Sequence, residues 1–465
     1  MGSSPIALTT IAPWPDKTET DAMGRVRQAI VDFVRLAFWP LAGAALLVLL
    51  LQPIYLLALG SLNQVAPPDR IFQHLAAAYE QGVLADDGAP KPLIWKGGEQ
   101  LAECISLGIG LDQARSPWDN AIAAPYPMVG ETHACSGLHQ AIAGAPVTWQ
   151  PYFRYWHGYR LILAPLTAAF PLWFVRIVNA LLVAAAFVVF WTMLRRCSDQ
   201  TVATIFVLTF VFLSDILFIW RTSTHSLSLA YILAGTALFG ALMAKEWSPR
   251  LLIVLAAVLG SVFNFVDFLI NPPLMPMLLA FVALLNRRAQ PGIFAFAVAI
   301  GWYGGYAETW IAKWVIAYLY LPATAGVLND IVFNVENRTF AAHGGVYLFP
   351  LAATVRTFLR SLARVGAIVP AIALIAIAHY GATASRIDWR RFALLCSPLL
   401  AAVVWFEAAS SQTQFHLTVS ARSAGAAWAI VVVALLLAMQ RRPSLADLRA
   451  HLRLATARLP LPKRG

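Results

Sequence analysis

The chain is expected to be an all-α integral membrane protein of about ten transmembrane helices, with its working surface on the outer, non-cytoplasmic side. Three observations predict this. Of 465 residues, 59% are hydrophobic and only 12% charged, whereas soluble domains carry about 25% charged residues; mean hydropathy is +0.67. Apolar stretches near the length a helix needs to cross a bilayer recur along the chain. Finally, the pairs Arg195-Arg196, Arg287-Arg288, Arg390-Arg391 and Arg441-Arg442 stand at the ends of those stretches. They fall on one side when the stretches are threaded back and forth. Arginine and lysine mark cytoplasmic loops, so the pairs predict a multi-pass membrane protein with both termini cytoplasmic.

The net charge of +11 does not predict a nucleic-acid partner, because the excess cations lie where orientation demands them. The basic tail, residues 441–465, is expected to rest on the anionic inner leaflet. The first apolar run, beginning near Leu36 after a polar leader, is too long for a signal-peptide core and reads as a signal-anchor. No Walker loop, Rossmann fingerprint or HExxH motif is found, which removes ATP-driven transport, nucleotide redox chemistry and zincin proteolysis as first choices.

Taken in order, residues 1–34 form a cytoplasmic segment, residues 35–62 the first transmembrane helix, and residues 63–157 a long outer loop. So long a loop, rich in Trp and Tyr, predicts a small folded periplasmic cap with short helices such as Asp69–Gly82. Its Cys104 and Cys135 either pair, if the loop faces an oxidising compartment, or stand as two small buried residues. Residues 158–440 form the bundle with its outer loops. Further spans are expected at about 172–194, 201–220, 226–244, 251–269, 273–286, 292–312, 365–381, 392–408 and 424–440. Asn271-Pro272-Pro273 breaks the pair 251–269 and 273–286, which reads as two tilted or half-depth helices around a kink. Arg356, Arg360 and Arg364 fall at i, i+4 and i+8 in Leu351–Arg364, an amphipathic helix at the outer interface.

Ionisable residues at membrane depth are costly, so they are candidates for function. Four outer-facing segments carry them. Trp149–Arg160 sets Arg154, His157 and Arg160 among aromatic rings, a pattern suited to a sugar or lipid phosphate as well as to an interfacial belt. Phe263–Pro273 holds Asp267 and Asn271 at the broken helix, where Asp267 either caps the break or bonds sugar hydroxyls. Gly301–Trp314 carries Glu308 and Lys313; the lysine is either a phosphate anchor or a snorkelling side chain. Glu407–Arg422 carries Gln414, His416 and Arg422, and an arginine there can grip phosphate with two parallel hydrogen bonds.

Arg154-Tyr-Trp-His-Gly-Tyr159, Asp267-Phe-Leu, Gly305-Tyr306 through Trp310 with Lys313-Trp314, and Gln412-Thr-Gln-Phe-His416 through Arg422 resemble, in this order, a group of bacterial polytopic membrane proteins related to GT-C glycosyltransferases. The likeness covers about Leu101 to Arg422. It implies a GT-C-like fold and transfer of a sugar from a polyprenyl-phosphate donor to a cell-envelope glycan or lipid acceptor. It also implies an acid in the first outer loop as general base. Ala102-Glu103-Cys104-Ile105 stands where the group has a Thr-Asp-type motif; the acid is kept and the hydroxyl neighbour is lost.

The expected roles follow. Glu103 is the base, with Asp69, Asp112 and Asp119 in reserve. Arg154, Lys313, Arg338 and Arg422 meet phosphate. His157, Arg160, Asp267, Asn271, Glu308, Gln414 and His416 line the sugar and acceptor site. No cofactor is demanded; a divalent cation is compatible with the chemistry, but no ligand spacing calls for one. The alternatives are a transporter or flippase using the same cavity, and an assembly scaffold.

Overall fold

The computed structural model describes residues 22–86, 100–130, 133–214, 216, 219, 222–267, 270–285, 291–339, 351–363 and 384–441. Almost every element is a helix. Among the described residues, five helices are long and apolar enough to cross a membrane: α1 (Ala22–Gly60), α8 (Leu172–Cys197), α10 (Ser223–Ala244), α11 (Pro249–Val266) and α19 (Leu417–Ala438). The count becomes six if α16 (Trp389–Cys396) and α17 (Leu399–Ala408), bent by 46°, form one broken span. Ten spans are thus not found among the described residues. The expected stretches 201–220 and 273–286 become the short helices α9 (Gln200–Phe212) and α12 (Leu274–Leu285). The stretch 292–312 lies within α13 (Pro291–Tyr320), 30 residues long but diluted by glycines, Glu308 and Lys313. The stretch 365–381 and the pair Arg287-Arg288 lie outside the described residues, as do Arg364, Arg442 and the tail beyond.

The break at Asn271-Pro-Pro parts two unlike helices. α11 is a full-length helix, whereas α12 is buried on all sides from Leu274 to Leu284. A helix that is hydrophobic all round belongs in a core, and α12 supplies much of it, packed with Phe206, Phe263 and Trp302.

Packing of α11 on α13 is very close. A Cβ added at Gly305 would lie 2.0 Å from the Ala257 carbonyl oxygen, and one at Gly260 would lie 2.1 Å from that of Trp302. Gly301 and Gly305 make a small-xxx-small face, which lets backbones touch where lipid offers no hydrophobic drive. Tyr55, Ser261, Thr309 and Gln52 then join α1, α11 and α13 through hydrogen bonds of 2.7–3.3 Å. Gly305→Ala is expected to lower stability by about 1–3 kcal/mol through overpacking. Gly304→Ala meets open space and should leave the unfolding temperature in detergent unchanged.

Between α1 and α8 the chain forms α2 (Leu62–Val65), α3 (Pro68–Glu80), α4 (Gln100–Gly108), α5 (Pro117–Ile122), α6 (Ala134–Ile142) and α7 (Arg160–Ala169). A small antiparallel hairpin pairs β1 (Tyr126–Met128) with β2 (Thr148–Gln150). The helix expected over Asp69–Gly82 is α3. Cys104 and Cys135 are disulfide-bonded, tying α4 to α6. This region shares a core with one end of the bundle: Leu75, Leu107 and Leu138 pack with Val175 of α8 and Leu227 of α10.

After α13 come α14 (Val327–Thr339) and α15 (Ala352–Ala363), then β3 (Ala384–Ile387) and α18 (Ser410–Phe415). β3 pairs with β4 (Met439–Arg441), joining the start of α16 to the end of α19. Arg195-Arg196 close the last turn of α8, and Arg390-Arg391 open α16.

Candidate functional site

The first two turns of α10 receive three of the candidate residues from three other elements. Glu103, fully buried on α4, accepts the backbone N–H of Ser223 at 2.7 Å and its hydroxyl at 2.9 Å. Arg176 of α8 stands 3.9 Å from the same carboxylate. An anion at a helix N-terminus satisfies unpaired N–H groups and meets the positive end of the helix dipole. Burial is the larger influence and pushes the Glu103 carboxyl above its usual range, against Arg176 and Ser223. Asp267, just past α11, accepts from Ser228 at 2.7 Å and from the Ile270 N–H at 2.9 Å, holding the turn before α12. Arg422 of α19 donates to Nδ1 of His225 at 3.0 Å. All three are buried.

The sequence reading passed over their partners Ser223, His225 and Ser228. The signal was present: Ser223-Thr-His-Ser-Leu-Ser228 is a run of hydroxyls opening an apolar segment.

A second cluster lies between residues 152–157, α13 and α14. The Arg154 guanidinium sits 4.6 Å from the Tyr152 ring centroid, donates to Asn334 and lies 3.7 Å from Asp330. Its backbone carbonyl accepts from Trp310 at 2.9 Å and Trp314 at 3.2 Å. Arg338, four residues past Asn334, lies over Tyr155 at 5.4 Å, and Tyr155 stacks on Trp310. Tyr306 continues the aromatic wall toward Trp302 and Trp405. Cations over ring faces gain quadrupole attraction while keeping N–H groups for an anion.

His157 adjoins this cluster in a left-handed conformation, φ 58°. Its Nε2 faces the Tyr152 carbonyl at 2.9 Å and its Nδ1 the Tyr159 hydroxyl at 3.5 Å. A carbonyl only accepts, so Nε2 carries the proton. Burial depresses the imidazole well below its ordinary value, and His157 is a neutral tautomer that fixes the turn.

The remaining candidates have local partners. Lys313, fully buried, donates to the carbonyls of Ala121 at 3.0 Å and Ile122 at 2.8 Å and lies over Trp156. Those carbonyls end α5, where a cation meets the negative end of the dipole. Arg160 donates to Gly110 and Asn120 carbonyls, beside a water-sized cavity lined by Ile71 and Leu163. Asp69 is exposed and takes Gln113. Asp112 pairs with Arg115, and Asp119 shares hydrogen bonds with Ser116 at the start of α5. Asn271 is buried in the turn before α12, its carbonyl accepting from Leu274. Gln414 accepts from Arg356 of the amphipathic α15. His416 is exposed between α18 and α19, and Glu308 half-exposed on the outward side of α13. Among the described residues no three His, Cys, Asp or Glu groups are placed to hold a metal ion.

Both clusters sit at the same end of the bundle, opposite Arg195-Arg196 and Arg390-Arg391. No protein-family model, curated protein or solved structure matches this chain.

Proposed function

We propose that the chain is a membrane glycosyltransferase of the GT-C type. It would move a sugar from a polyprenyl-phosphate donor to a cell-envelope glycan or lipid acceptor on the periplasmic face of a bacterial inner membrane. The observation that carries this reading is the aromatic–arginine cluster. Arg154 and Arg338 lie over tyrosine rings at one end of an apolar bundle, where a lipid phosphate arrives from the bilayer and a sugar stacks on aromatic faces. The Cys104–Cys135 disulfide supports an oxidising compartment for that end, and the arginine-rich opposite end supports a cytoplasmic one. A transporter reading gains less support, because the buried acids Glu103 and Asp267 meet at one end of the bundle around α10.

In the proposed reaction the acceptor hydroxyl attacks the anomeric carbon and the polyprenyl phosphate leaves. Arg338 meets the developing phosphate charge in a site already arranged for it. Arg422 stands behind α10 with His225, and Lys313 holds α5 in place, so neither is assigned to the phosphate.

The test compares envelope glycans and polyprenyl-phosphate-sugar pools in a deletion strain with the same strain complemented. Loss of a glycan and accumulation of the lipid-linked sugar are expected, reversed by wild type. Unchanged glycans and pools would sink the reading. Arg338→Gln is expected to cut transfer by about 10²–10³-fold, as removal of one preorganised donor does, without lowering the unfolding temperature in detergent.

A further inference from the structure

We propose that Asp330 is the catalytic base of this transfer and that Arg154 holds the acceptor hydroxyl against it. The inference rests on the transferase reading above and assigns within it a residue that no sequence motif singled out.

α14 is built inside out. Leu328, Val332, Phe333 and Val335 are exposed together with Asn329 and Glu336, while Asn334 is buried and Asp330 and Arg338 are half-buried. Asp330, Asn334 and Arg338 fall at i, i+4 and i+8, one stripe of a helix. A soluble helix shows the reverse pattern. The mixed outer face is mostly apolar, and the polar stripe faces the aromatic–arginine cluster. α14 is thereby a wall between bilayer and site, anchored at its far end where Ser410 donates to the Thr339 carbonyl.

Where that stripe meets Arg154, two polar atoms make no hydrogen bond among the described residues. Asp330 Oδ1 faces Arg154 at 3.7 Å. Its Oδ2 is turned inward and, among the described residues, accepts no hydrogen bond. The Arg154 Nε is also buried without an acceptor. An unsatisfied donor and an unsatisfied acceptor are each costly when buried, and here they belong to one ion pair. A hydroxyl satisfies both, accepting from Nε and donating to Oδ2. An ammonium or a bare phosphate satisfies only one. The Asp330 side chain keeps 34% of its surface accessible and that of Arg154 22%, while Oδ2 and Nε themselves are covered.

Four other acids are held in place by local or tertiary hydrogen bonds. Both oxygens of Glu103 accept from Ser223, and both of Asp267 accept from Ser228 and Ile270. Asp112 and Asp119 hold local turns. Glu407 accepts from the Thr354 N–H and hydroxyl at Oε1; its Oε2 also accepts no hydrogen bond among the described residues, but unlike Asp330 it has no arginine paired against it there.

The step balances. The acceptor oxygen forms its bond to the anomeric carbon as its proton passes to Asp330 Oδ2. The bond from that carbon to the phosphate oxygen breaks, and its electron pair leaves with the polyprenyl phosphate beside Arg338. The attack comes from the face opposite the leaving group, so the configuration inverts.

The experiment complements the deletion strain with wild type, Asp330→Asn and Asp330→Glu, and reads the lipid-linked sugar pool. The purified variants are titrated with polyprenyl phosphate, followed by tryptophan fluorescence. Asp330→Asn is expected to lower transfer about 10²–10⁴-fold, the usual worth of a general base, while polyprenyl phosphate binding stays at the wild-type level. Asp330→Glu, which keeps a carboxylate, should recover part of the transfer. Wild-type transfer by Asp330→Asn overturns the assignment. So does loss of polyprenyl phosphate binding in both variants, because Asp330 would then hold α14 rather than take a proton. A wild-type protein that restores no glycan and no pool fails the transferase reading itself, a result separate from either of these.

Discussion

Replacing Lys313 with methionine is expected to destabilise the protein by about 2–5 kcal/mol, because it strips two buried carbonyls of their donor. The last carbonyls of a helix have no partner within it. At the end of α5, Ala121 and Ile122 find theirs in the Lys313 ammonium, which has crossed from α13, 191–192 residues away in sequence. Methionine fills the same length and keeps contact with Trp156, so the loss isolates the hydrogen bonds and the charge. Relief of the lysine's own burial offsets part of the cost, which is why the range extends down to about 2 kcal/mol. Lys313→Arg is not expected to rescue, since a planar fork does not fit a site shaped for a compact ammonium. The readout is the unfolding transition in detergent. An unchanged midpoint for Lys313→Met would show that the α5 carbonyls do not depend on it.

The second large effect separates two substitutions at one residue. Glu103→Ala leaves the Ser223 N–H and hydroxyl and the nearby Arg176 without the carboxylate, and about 3–5 kcal/mol of stability is expected to go. Glu103→Gln keeps an acceptor oxygen for Ser223 and removes the buried charge, so it should stay close to wild type.

The pH dependence distinguishes them further. Burial raises the folded-state carboxyl above the ordinary glutamate range. The folded protein therefore retains a proton that the unfolded chain has released. Stability contributed by the protonated acid is complete below about 4.5 and is lost as pH rises through the raised folded value. Glu103→Gln should flatten that slope. Transfer by Glu103→Gln at the wild-type level is the expected result for an anchor. Loss of transfer with an intact fold would return the base to Glu103 and remove it from Asp330.

Particular residues show how far the sequence could be read. The arginine pairs and hydropathy runs located five of the long helices, because each signal is local. Span counting failed where composition was apolar but the segment was short and internal. Leu274–Leu285 reads like a membrane helix and is instead wrapped by its neighbours. The Gly305–Trp314 segment was recognised as special, yet its reasons were tertiary. Gly305 admits the Ala257 carbonyl, and Trp310 and Trp314 hold the Arg154 backbone.

On α14 only Arg338 stood out in the sequence, although the stripe was legible. Asp330, Asn334 and Arg338 repeat at four-residue spacing, the same pattern that marked Arg356 and Arg360 on α15.

By itself the sequence determined that this is an all-α multi-pass protein and which end of its helices carries the arginine pairs. Both follow from transfer free energies that depend only on neighbours in the chain. Only the tertiary structure decided which charges are fasteners and which stay open to a substrate. Glu103 meets Ser223 across 120 residues, Arg422 meets His225 across 197 and Arg154 meets Asn334 across 180. A carboxylate or guanidinium carries the same letter whether its hydrogen bonds are filled or vacant. The partners that fill them are fixed by the packing of distant helices, and no local pattern encodes that.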